Sequence, residues 1–152
     1  MDFPSARFKD NPQASTGLLF MRAYNKWHTI ISKQLRTLGL THPRFVVLTT
    51  LNYLSQTCAF VSQAAIAKMA DMDVMSVSQI INGLERDAFV TRIANPEDSR
   101  ANAVILLPKG QDSVARALPL VEQIDDTFFG TLQADETILR TYLQRLTSVQ
   151  SI

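Results

Sequence analysis

One predicted helix carries most of the side chains in this chain that are suited to recognising another molecule. It begins after Asp73, and at about 100° per residue its outer face carries two amides, an arginine and a thioether but no acidic group. The members of this set are Met75, Gln79, Asn82 and Arg86, with the hydroxyls of Ser76 and Ser78 on the same helix. Amides and hydroxyls form hydrogen bonds and a guanidinium binds anions, so the pattern indicates non-covalent recognition.

A short helix, a tight turn and a second helix position this face. Ser62 and Asp73 are good N-caps for the two helices, and the acidic turn that ends in Asp73 breaks the first helix. The apolar side chains expected to point inward are Ala65, Ile66 and Met69 on the first helix, and Val77, Ile81, Leu84 and Ala88 on the second. On the second helix this is the spacing of a buried stripe.

A hairpin follows the second helix. Residues 90–94 and 102–107 are of strand type, and residues 95–98 have turn chemistry because proline presets φ and Asn and Asp close local hydrogen bonds. Arg100 lies at or just past the tip. Two helices at a sharp angle followed by a hairpin form a winged helix-turn-helix. The second helix of such a motif fits the major groove of DNA, and its wing brings a cation to the minor groove.

Several segments of the chain, taken in order, carry a family resemblance. They are Ile66-Ala67-Lys68, Asp73–Gln79, Leu84–Val90, Asp98-Ser99-Arg100 and Leu106–Gly110. Together they closely resemble the MarR family of bacterial transcription regulators. The wing pattern, an Asp two before an Arg and then a strand ending in L-x-x-x-G, is the more specific part. The resemblance covers nearly the whole chain and implies a homodimer that binds double-stranded DNA, more often as a repressor.

This interpretation assigns a contact to each side chain. Arg100 is expected in the minor groove, whose negative potential attracts arginine, with Ser99 beside it. Gln79 and Ser76 are candidates for base edges, because a glutamine amide pairs bidentately with adenine, and Met75 is a candidate for a thymine methyl. An ordinary solvated helix face and a solvated hairpin arginine are the alternatives.

Phosphate contacts are expected from Arg44, Ser62 and Gln63, which lie at the first turns of two helices. Two alternatives stay open for Arg86. It contacts phosphate, or it forms an ion pair with Asp98 that orients the wing, and the ion pair is slightly favoured. The remaining members of the DNA contact set are Ser78 and Asn82.

The rest of the chain is predicted to be helical, which makes the protein mainly α with a small β-hairpin (α+β). A regular apolar stripe runs from Phe20 to Leu38, and Gly39 is predicted to end the helix. Two helices follow the wing. Apolar surface of this extent marks association. The predicted organisation is one domain over residues 1–152, with a winged helix-turn-helix lobe at 41–107 and, as the resemblance implies, dimerisation helices at 10–38 and 108–152.

Two residues are expected to disturb these helices. Members of the resembled family commonly have Gly at the position of Ala88, where a helix ends with φ > 0. Alanine tolerates that conformation poorly, so the recognition helix is expected to end differently and to shift the wing. Pro119 falls inside the first of the two helices after the wing and is expected to kink or split it.

The resemblance also implies an apolar effector site between the first, second and fifth helices. Its candidate residues are Tyr24, Trp27, His28, Phe45 and Leu48. In the resembled family such a pocket often binds aromatic acids, phenols or other lipophilic compounds and lowers the affinity for DNA. For any one of these residues, plain core packing is the more frequent role.

Composition excludes several classes of protein. An apolar fraction of 46% and a charged fraction of 19% in 152 residues are those of one soluble domain. No apolar run approaches the roughly 18–20 residues that span a bilayer, and no signal peptide is visible, so a cytoplasmic location is expected. Cys58 is expected to be buried and inert. His28 and His42 are expected to lie far apart, so neither a metal site nor a cofactor is expected, and no catalytic set is visible.

The distribution of charge keeps one rival function open. The net charge is +1 for the whole chain, and it is +5, −1 and −3 over residues 1–61, 62–110 and 111–152. A near-neutral recognition segment argues against a purely electrostatic DNA binder. The rival is a winged helix used only for association with another protein.

Overall fold

The fold is mainly α with a small antiparallel sheet, as predicted. The computed structural model describes residues 10–150, so residues 1–9 and 151–152 of the predicted domain lie outside the described part. The elements in chain order are α1 (Thr16–Arg36), α2 (His42–Leu54), β1 (Val61–Ser62), α3 (Gln63–Ala70), α4 (Val74–Arg86), β2 (Val90–Ala94), β3 (Asn102–Leu106), α5 (Pro108–Gly130) and α6 (Glu136–Thr147), with 3-10 turns at Pro12–Ala14 and Gln133–Asp135. Helices α3 and α4 are the two helices of the motif, and β2 and β3 form the wing.

Local hydrogen bonds begin α2, α3 and α4 where the sequence predicts them. Thr41, Ser62 and Asp73 each accept a hydrogen bond from the backbone N–H three residues further on, at 2.8–3.3 Å. Each bond satisfies a donor that the first turn of a helix leaves without a partner. The starts of the three helices that build the lobe are therefore determined by sequence neighbours.

The end of α4 is formed by an alanine in the left-handed region. Ala88 has φ +63°. Its N–H donates to the carbonyl of Glu85 at 3.1 Å, and the N–H of Phe89 donates to the carbonyl of Leu84 at 2.8 Å, the bond pair of a Schellman motif. The expectation that alanine would end the helix differently is therefore wrong. Burial of the Phe89 ring, 7% exposed, offsets a strain of about 1–2 kcal/mol at Ala88.

Replacing Ala88 by glycine is expected to stabilise the protein by about 0.5–1 kcal/mol, because glycine adopts positive φ without a Cβ clash. The free energy of unfolding from urea titration measures this effect. Ala115→Gly is the matched control, since Ala115 is an exposed position inside α5 and glycine there costs about 1 kcal/mol. Equal destabilisation by both substitutions would contradict the assignment of strain to Ala88.

The core lies between the winged lobe, which includes α2, and the helices α1 and α5. Its fully buried side chains include Ile31, Leu35, Leu48, Leu51, Ile66, Val77, Ile81, Leu84 and Val104. Met69, expected inside, is 49% exposed, and Ala88 is exposed beyond the end of α4. Ala67 and Ala117 are buried instead, at 3% and 0% exposure. The predicted stripe of α4 is confirmed by Val77, Ile81 and Leu84, which are all 0% exposed.

Helix α5 runs without a break through Pro119, so the predicted split is wrong. Proline removes one backbone donor, which leaves the carbonyl of Ala115 without its helical partner. Ala115 is exposed, so water can satisfy that carbonyl. Ala117 and Val121 hold the flanking turns against the core, at 0% and 7% exposure. Among the described helices, α5 included, none has the length and apolar content needed to cross a membrane.

The sheet attaches the wing to the first helix of the motif. Its order is β1-β3-β2, and all pairs are antiparallel. Strand β1, which the sequence did not predict, pairs Val61 with Val104 and Ser62 with Ala103. Ser62 also caps α3. The same residue therefore ends a strand of the wing sheet and begins α3, which limits how far the wing can move away from that helix.

Candidate nucleic-acid interface

The predicted outer face of α4 is open to solvent. Its exposed members are Met75, Gln79, Asn82 and Arg86, and its half-buried members are Ser76 and Ser78. The hydroxyl of Ser76 donates to the carboxylate of Asp73 at 2.6 Å, so its oxygen is left to accept a hydrogen bond from an incoming base. The hydrogen bonds from the Ser76 hydroxyl and backbone N–H hold the pKa of Asp73 below its ordinary value.

Arg100 lies at the exposed tip of the wing beside Ser99, as predicted. The backbone of the tip is shaped by short side chains, because the Asp98 carboxylate accepts from the Arg100 N–H at 2.9 Å and the Asn95 amide oxygen accepts from the Glu97 N–H at 2.9 Å. Within residues 10–150 the guanidinium of Arg100 makes no hydrogen bond or ion pair. It is therefore free to contact another molecule.

Arg86 does not pair with Asp98, so the favoured alternative for this arginine is wrong. Its Nε lies 3.8 Å from the carboxylate of Asp87, and its side chain is 75% exposed. The carboxylate of Asp98 instead bonds to the backbone of the wing. Phosphate contact by Arg86 stays a prediction.

Arg92 on β2 joins the wing to both helices of the motif. This role of Arg92 was not predicted from the sequence. Its backbone N–H and its Nη1 donate to the two carboxylate oxygens of Glu85, at 2.7 and 3.0 Å. Its Nη2 donates to the amide oxygens of Gln63 and Asn82, at 2.9 and 2.7 Å. The side chain of Arg92 is 16% exposed. The sequence did contain a signal for this contact. Glu85 and Arg92 carry opposite charges and lie seven residues apart, at the end of a predicted helix and the start of a predicted strand.

Arg44 is engaged inside the protein. Its Nη1 lies 2.8 Å from the carboxylate of Asp87, and its side chain is 23% exposed. The hydrogen bond from Arg44, together with the charges of Arg44, Arg86 and Lys109, holds the pKa of Asp87 below its ordinary value. Arg44 thus connects the start of α2 to the end of α4, and a phosphate contact would have to share this guanidinium with Asp87.

The five predicted effector residues do not line one pocket. Leu48 is fully buried and Phe45 is 7% exposed, so both belong to the core. A cavity of about 200 Å³ lies instead between α1, α5 and α6. Its lining residues are Phe20, Ala23, Tyr24, Trp27, Phe128, Phe129, Leu139 and Leu143. Of the predicted set, Tyr24 and Trp27 line this cavity and His28 does not.

The two histidines lie side by side, so the expectation that they are far apart is wrong. The ring centroids of His28 and His42 are 4.9 Å apart, because α2 begins against the side of α1. The indole of Trp27 lies edge-on to His42 at 5.4 Å and donates to Asp125 at 2.7 Å. No group of three or more metal-binding side chains occurs among residues 10–150.

Mild acid is expected to weaken the fold at this cluster. Burial and the neighbouring His28 hold the pKa of His42 below its ordinary value near 6.5, despite the opposing charge of Asp125. A histidine with a depressed pKa in the folded state contributes stability above its unfolded-state pKa, which is lost as pH falls through the folded-state value. The midpoint of urea unfolding should therefore drop less between pH 7 and pH 5 in His42→Phe than in the wild type. Identical drops would contradict this assignment.

Cys58 is exposed, so the expectation of a buried thiol is wrong. It lies in the loop between α2 and β1, and its Sγ is 3.3 Å from the carbonyl oxygen of Phe60. The loop leaves the core after Leu54, which explains why a residue type that is usually buried is found at the surface.

A helix with an open polar face, beside a wing tipped by a free arginine, defines a DNA-binding winged helix-turn-helix protein. The model of the MarR family matches residues 40–101. An uncharacterized HTH-type transcriptional regulator of Bacillus subtilis, YdcH, is 34% identical over 128 residues, which cover 84% of this chain and 87% of that protein. The chain belongs to the MarR family of transcriptional regulators, which favours DNA binding over association with protein alone.

Two further relatives are informative. The HTH-type transcriptional repressor NicR of Pseudomonas putida is 28% identical over 129 residues, which cover 85% of this chain and 79% of that protein. Among solved structures, Bordetella bronchiseptica BpsR, whose DNA binding is regulated by 6-hydroxynicotinic acid, superposes with a TM-score of 0.78 at 29% identity. That match covers 91% of this chain and 96% of BpsR.

Proposed function

We propose that this chain is a homodimeric repressor in the cytoplasm, where it shares a compartment with DNA. It binds a pseudo-palindromic operator and releases it when a small aromatic or lipophilic effector binds. The observation that carries the proposal is the apolar surface that α1, α6 and Val149 leave exposed outside the winged lobe. The similarity to the repressor NicR supports repression rather than activation. The similarity to BpsR supports an aromatic acid as the effector.

The exposed apolar surface is large and lies mainly on two helices. Its side chains, each between 43% and 63% exposed, are Leu19, Phe20, Met21 and Tyr24 on α1, Ile138, Tyr142 and Leu146 on α6, and Val149 just beyond it. Exposed apolar surface of this kind marks a site of association. A second copy that covers it in a two-fold arrangement uses residues 10–38 and 108–152 as the dimer body.

Two-fold symmetry determines the form of the operator. Two copies of α4 on a common face, about 34 Å apart, enter successive major grooves and favour a palindrome with that spacing. Each Arg100 then reaches the minor groove next to its half-site. The polar face of α4 supplies base contacts from Ser76, Gln79 and Met75, and Ser62, Gln63 and Arg86 supply phosphate contacts.

The cavity between α1, α5 and α6 is the proposed effector site. Tyr24 and Trp27 line it, and Tyr24 also belongs to the exposed apolar surface. Trp27 in addition contacts His42, the first residue of α2. An effector in the cavity therefore contacts Tyr24 of the dimer surface, and through Trp27 it acts on His42 at the start of the winged lobe. It releases DNA if it favours a geometry that misplaces the two recognition helices.

The decisive experiment combines sedimentation with selection of bound sequences from a random duplex pool. A stable dimer of the free protein and enrichment of one palindrome are expected. The affinity for that palindrome should fall steeply with salt and exceed the affinity for random duplex by about 10³-fold or more. A monomer, or equal affinity for all duplexes, would overturn the proposal.

Trp27, the single tryptophan of the chain, provides a fluorescent probe for effector binding in the cavity. Hydroxylated pyridine and benzoic acids that enter the cavity should change its fluorescence and release the selected duplex. Ala23 lines the cavity, so Ala23→Leu should fill it, keep DNA binding and abolish release. If release is unchanged in Ala23→Leu, the effector binds elsewhere.

A further inference from the structure

Two amide side chains of the candidate interface are held by one guanidinium. Nη2 of Arg92 lies 2.9 Å from Oε1 of Gln63 and 2.7 Å from Oδ1 of Asn82. A guanidinium has only donors, so an amide that bonds to it must turn its oxygen inward. The opposite orientation of either amide would place two donors against each other. The position of Arg92 therefore decides which end of each amide points away from the protein.

We infer that Arg92 is a positioning residue that makes Gln63 and Asn82 donor-only contacts to DNA. The inference rests on the proposed DNA-binding role of this face. Within residues 10–150, neither NH₂ group has a hydrogen-bond partner, whereas both oxygens are occupied. Asn82 is exposed on the outer face of α4, and Gln63 is the half-buried first residue of α3. Each amide thus turns its oxygen towards Arg92 and its N–H groups away from it, towards an approaching duplex.

A donor-only amide recognises acceptors. Asparagine or glutamine reads adenine by donating to N7 and accepting from N6, which needs both ends of the amide. The oxygens of Asn82 and Gln63 point at Arg92, so neither amide presents both of its ends to one base. Gln79, on the same face of α4, makes no side-chain hydrogen bond within residues 10–150 and keeps both ends free. Adenine readout on this face therefore belongs to Gln79.

The acceptors that Asn82 and Gln63 meet are phosphate oxygens. Bases are read mainly from the N-terminal residues of a recognition helix, and Asn82 lies in the third turn of α4. Gln63 begins α3, where helix N-termini meet phosphate. The Glu85 carboxylate forms an ion pair with Nη1 of Arg92 at 3.0 Å, and its other oxygen accepts a hydrogen bond from the Arg92 backbone N–H. Arg92 thus acts on DNA through the two amides it orients, and not as a free cation.

Asn82→Asp tests the donor role, because aspartate keeps an oxygen for Arg92 but loses both N–H donors. Asn102→Asp is the matched control. It makes the same amide-to-carboxylate exchange at an exposed position of the same lobe, on a side chain that does not bond to Arg92. We expect Asn82→Asp to weaken binding of the selected palindrome and of random duplex by about tenfold or more, and by similar factors, because a phosphate contact carries no sequence information. Asn102 lies two residues from Arg100 in the wing, so the control measures the cost of an added negative charge near DNA, and it should weaken either affinity at least about threefold less than Asn82→Asp does.

Two results would overturn the donor role. The first is an affinity of Asn82→Asp within threefold of Asn102→Asp, because Asn82 would then serve only to hold Arg92. The second is a loss confined to the selected palindrome, which would indicate a base contact. If the wild type binds neither duplex, both the donor role and the proposed function fail.

The orientation is tested separately in the free protein. The side-chain carbonyl ¹³C resonances of Asn82 and Gln63 report whether their oxygens accept hydrogen bonds. Arg92→Lys keeps the positive charge for Glu85 but loses the planar fork that reaches both amides. We expect both resonances to shift in Arg92→Lys and DNA affinity to fall about fivefold or more. Unchanged resonances in a folded variant would overturn the orientation, whatever the outcome of the DNA experiments.

Discussion

Arg100→Ala is expected to weaken binding of the selected operator by about tenfold or more at moderate salt. The Arg100 guanidinium makes no ion pair within residues 10–150, and the hydrogen bond between its own N–H and Asp98 holds the tip in place. Binding therefore breaks no existing interaction of this side chain. Fluorescence anisotropy with a labelled duplex over a range of salt concentrations measures the loss.

Arg116→Ala is the matched control for charge. Arg116 is also an exposed arginine, 62% exposed on α5, with only an i, i+4 pair to Asp112 at 3.5 Å. Such a pair contributes about 0.5 kcal/mol or less, and the helix lies outside the winged lobe. The affinity of Arg116→Ala for DNA should stay within about twofold of the wild type. If Arg100→Ala binds the operator as tightly as this control, the wing does not enter the minor groove.

Gly110→Ala is expected to destabilise the fold by about 3 kcal/mol or more, because the first turn of α5 packs directly on the backbone that follows α4. A Cβ at Gly110 would overlap the carbonyl oxygen of Phe89 and lie 2.8 Å from Cδ2 of Leu106. The same carbonyl accepts the Leu107 N–H at 3.0 Å. Neither backbone group can move without shifting the wing, so DNA affinity should fall together with the free energy of unfolding.

Gly17→Ala provides the comparison for Gly110→Ala. Gly17 lies in the first turn of α1, and an added Cβ there would meet no atom within 4 Å. Alanine is the better helix former by up to about 1 kcal/mol, so this variant should be as stable as the wild type or slightly more stable. Urea unfolding followed by circular dichroism measures both variants. Similar stabilities for the two would show that the contact at Gly110 can relax.

Much of the winged lobe could be predicted because its elements depend on near neighbours. Thr41, Ser62 and Asp73 accept hydrogen bonds from N–H groups three residues away. Because these bonds are local, the starts of the helices can be predicted from the sequence. The exposed face of α4 follows from the helical period alone. The wing tip follows from turn residues whose side chains bond to backbone groups two positions on.

The interface network could not be predicted, because it depends on distances between elements. Arg92 reaches Gln63 across 29 residues of chain, and Arg44 reaches Asp87 across 43. Helical and strand periods say which face a residue occupies, but they do not give the angle at which two elements meet. The packing angle between elements also brings His28 next to His42 and leaves Met69 exposed, which the sequence did not predict.

Ala88 shows how tertiary packing can override a local preference. By itself, an alanine with positive φ is unfavourable by about 1–2 kcal/mol. The buried ring of Phe89 and the close contact of Gly110 with the Phe89 carbonyl hold the chain in this conformation.

The sequence by itself determined the order of the helices and of the two wing strands, the start of each helix in the winged lobe, the polar face of α4 and the arginine at the wing tip. Each of these features depends on hydrogen bonds and periodicity within a few residues. Only the tertiary structure decided that Arg92 bonds to Asn82 on that face and to Gln63 on α3, that Arg44 is paired with Asp87, and that the cavity lies between α1, α5 and α6. Those features depend on how distant segments pack, and packing is a property of the whole chain.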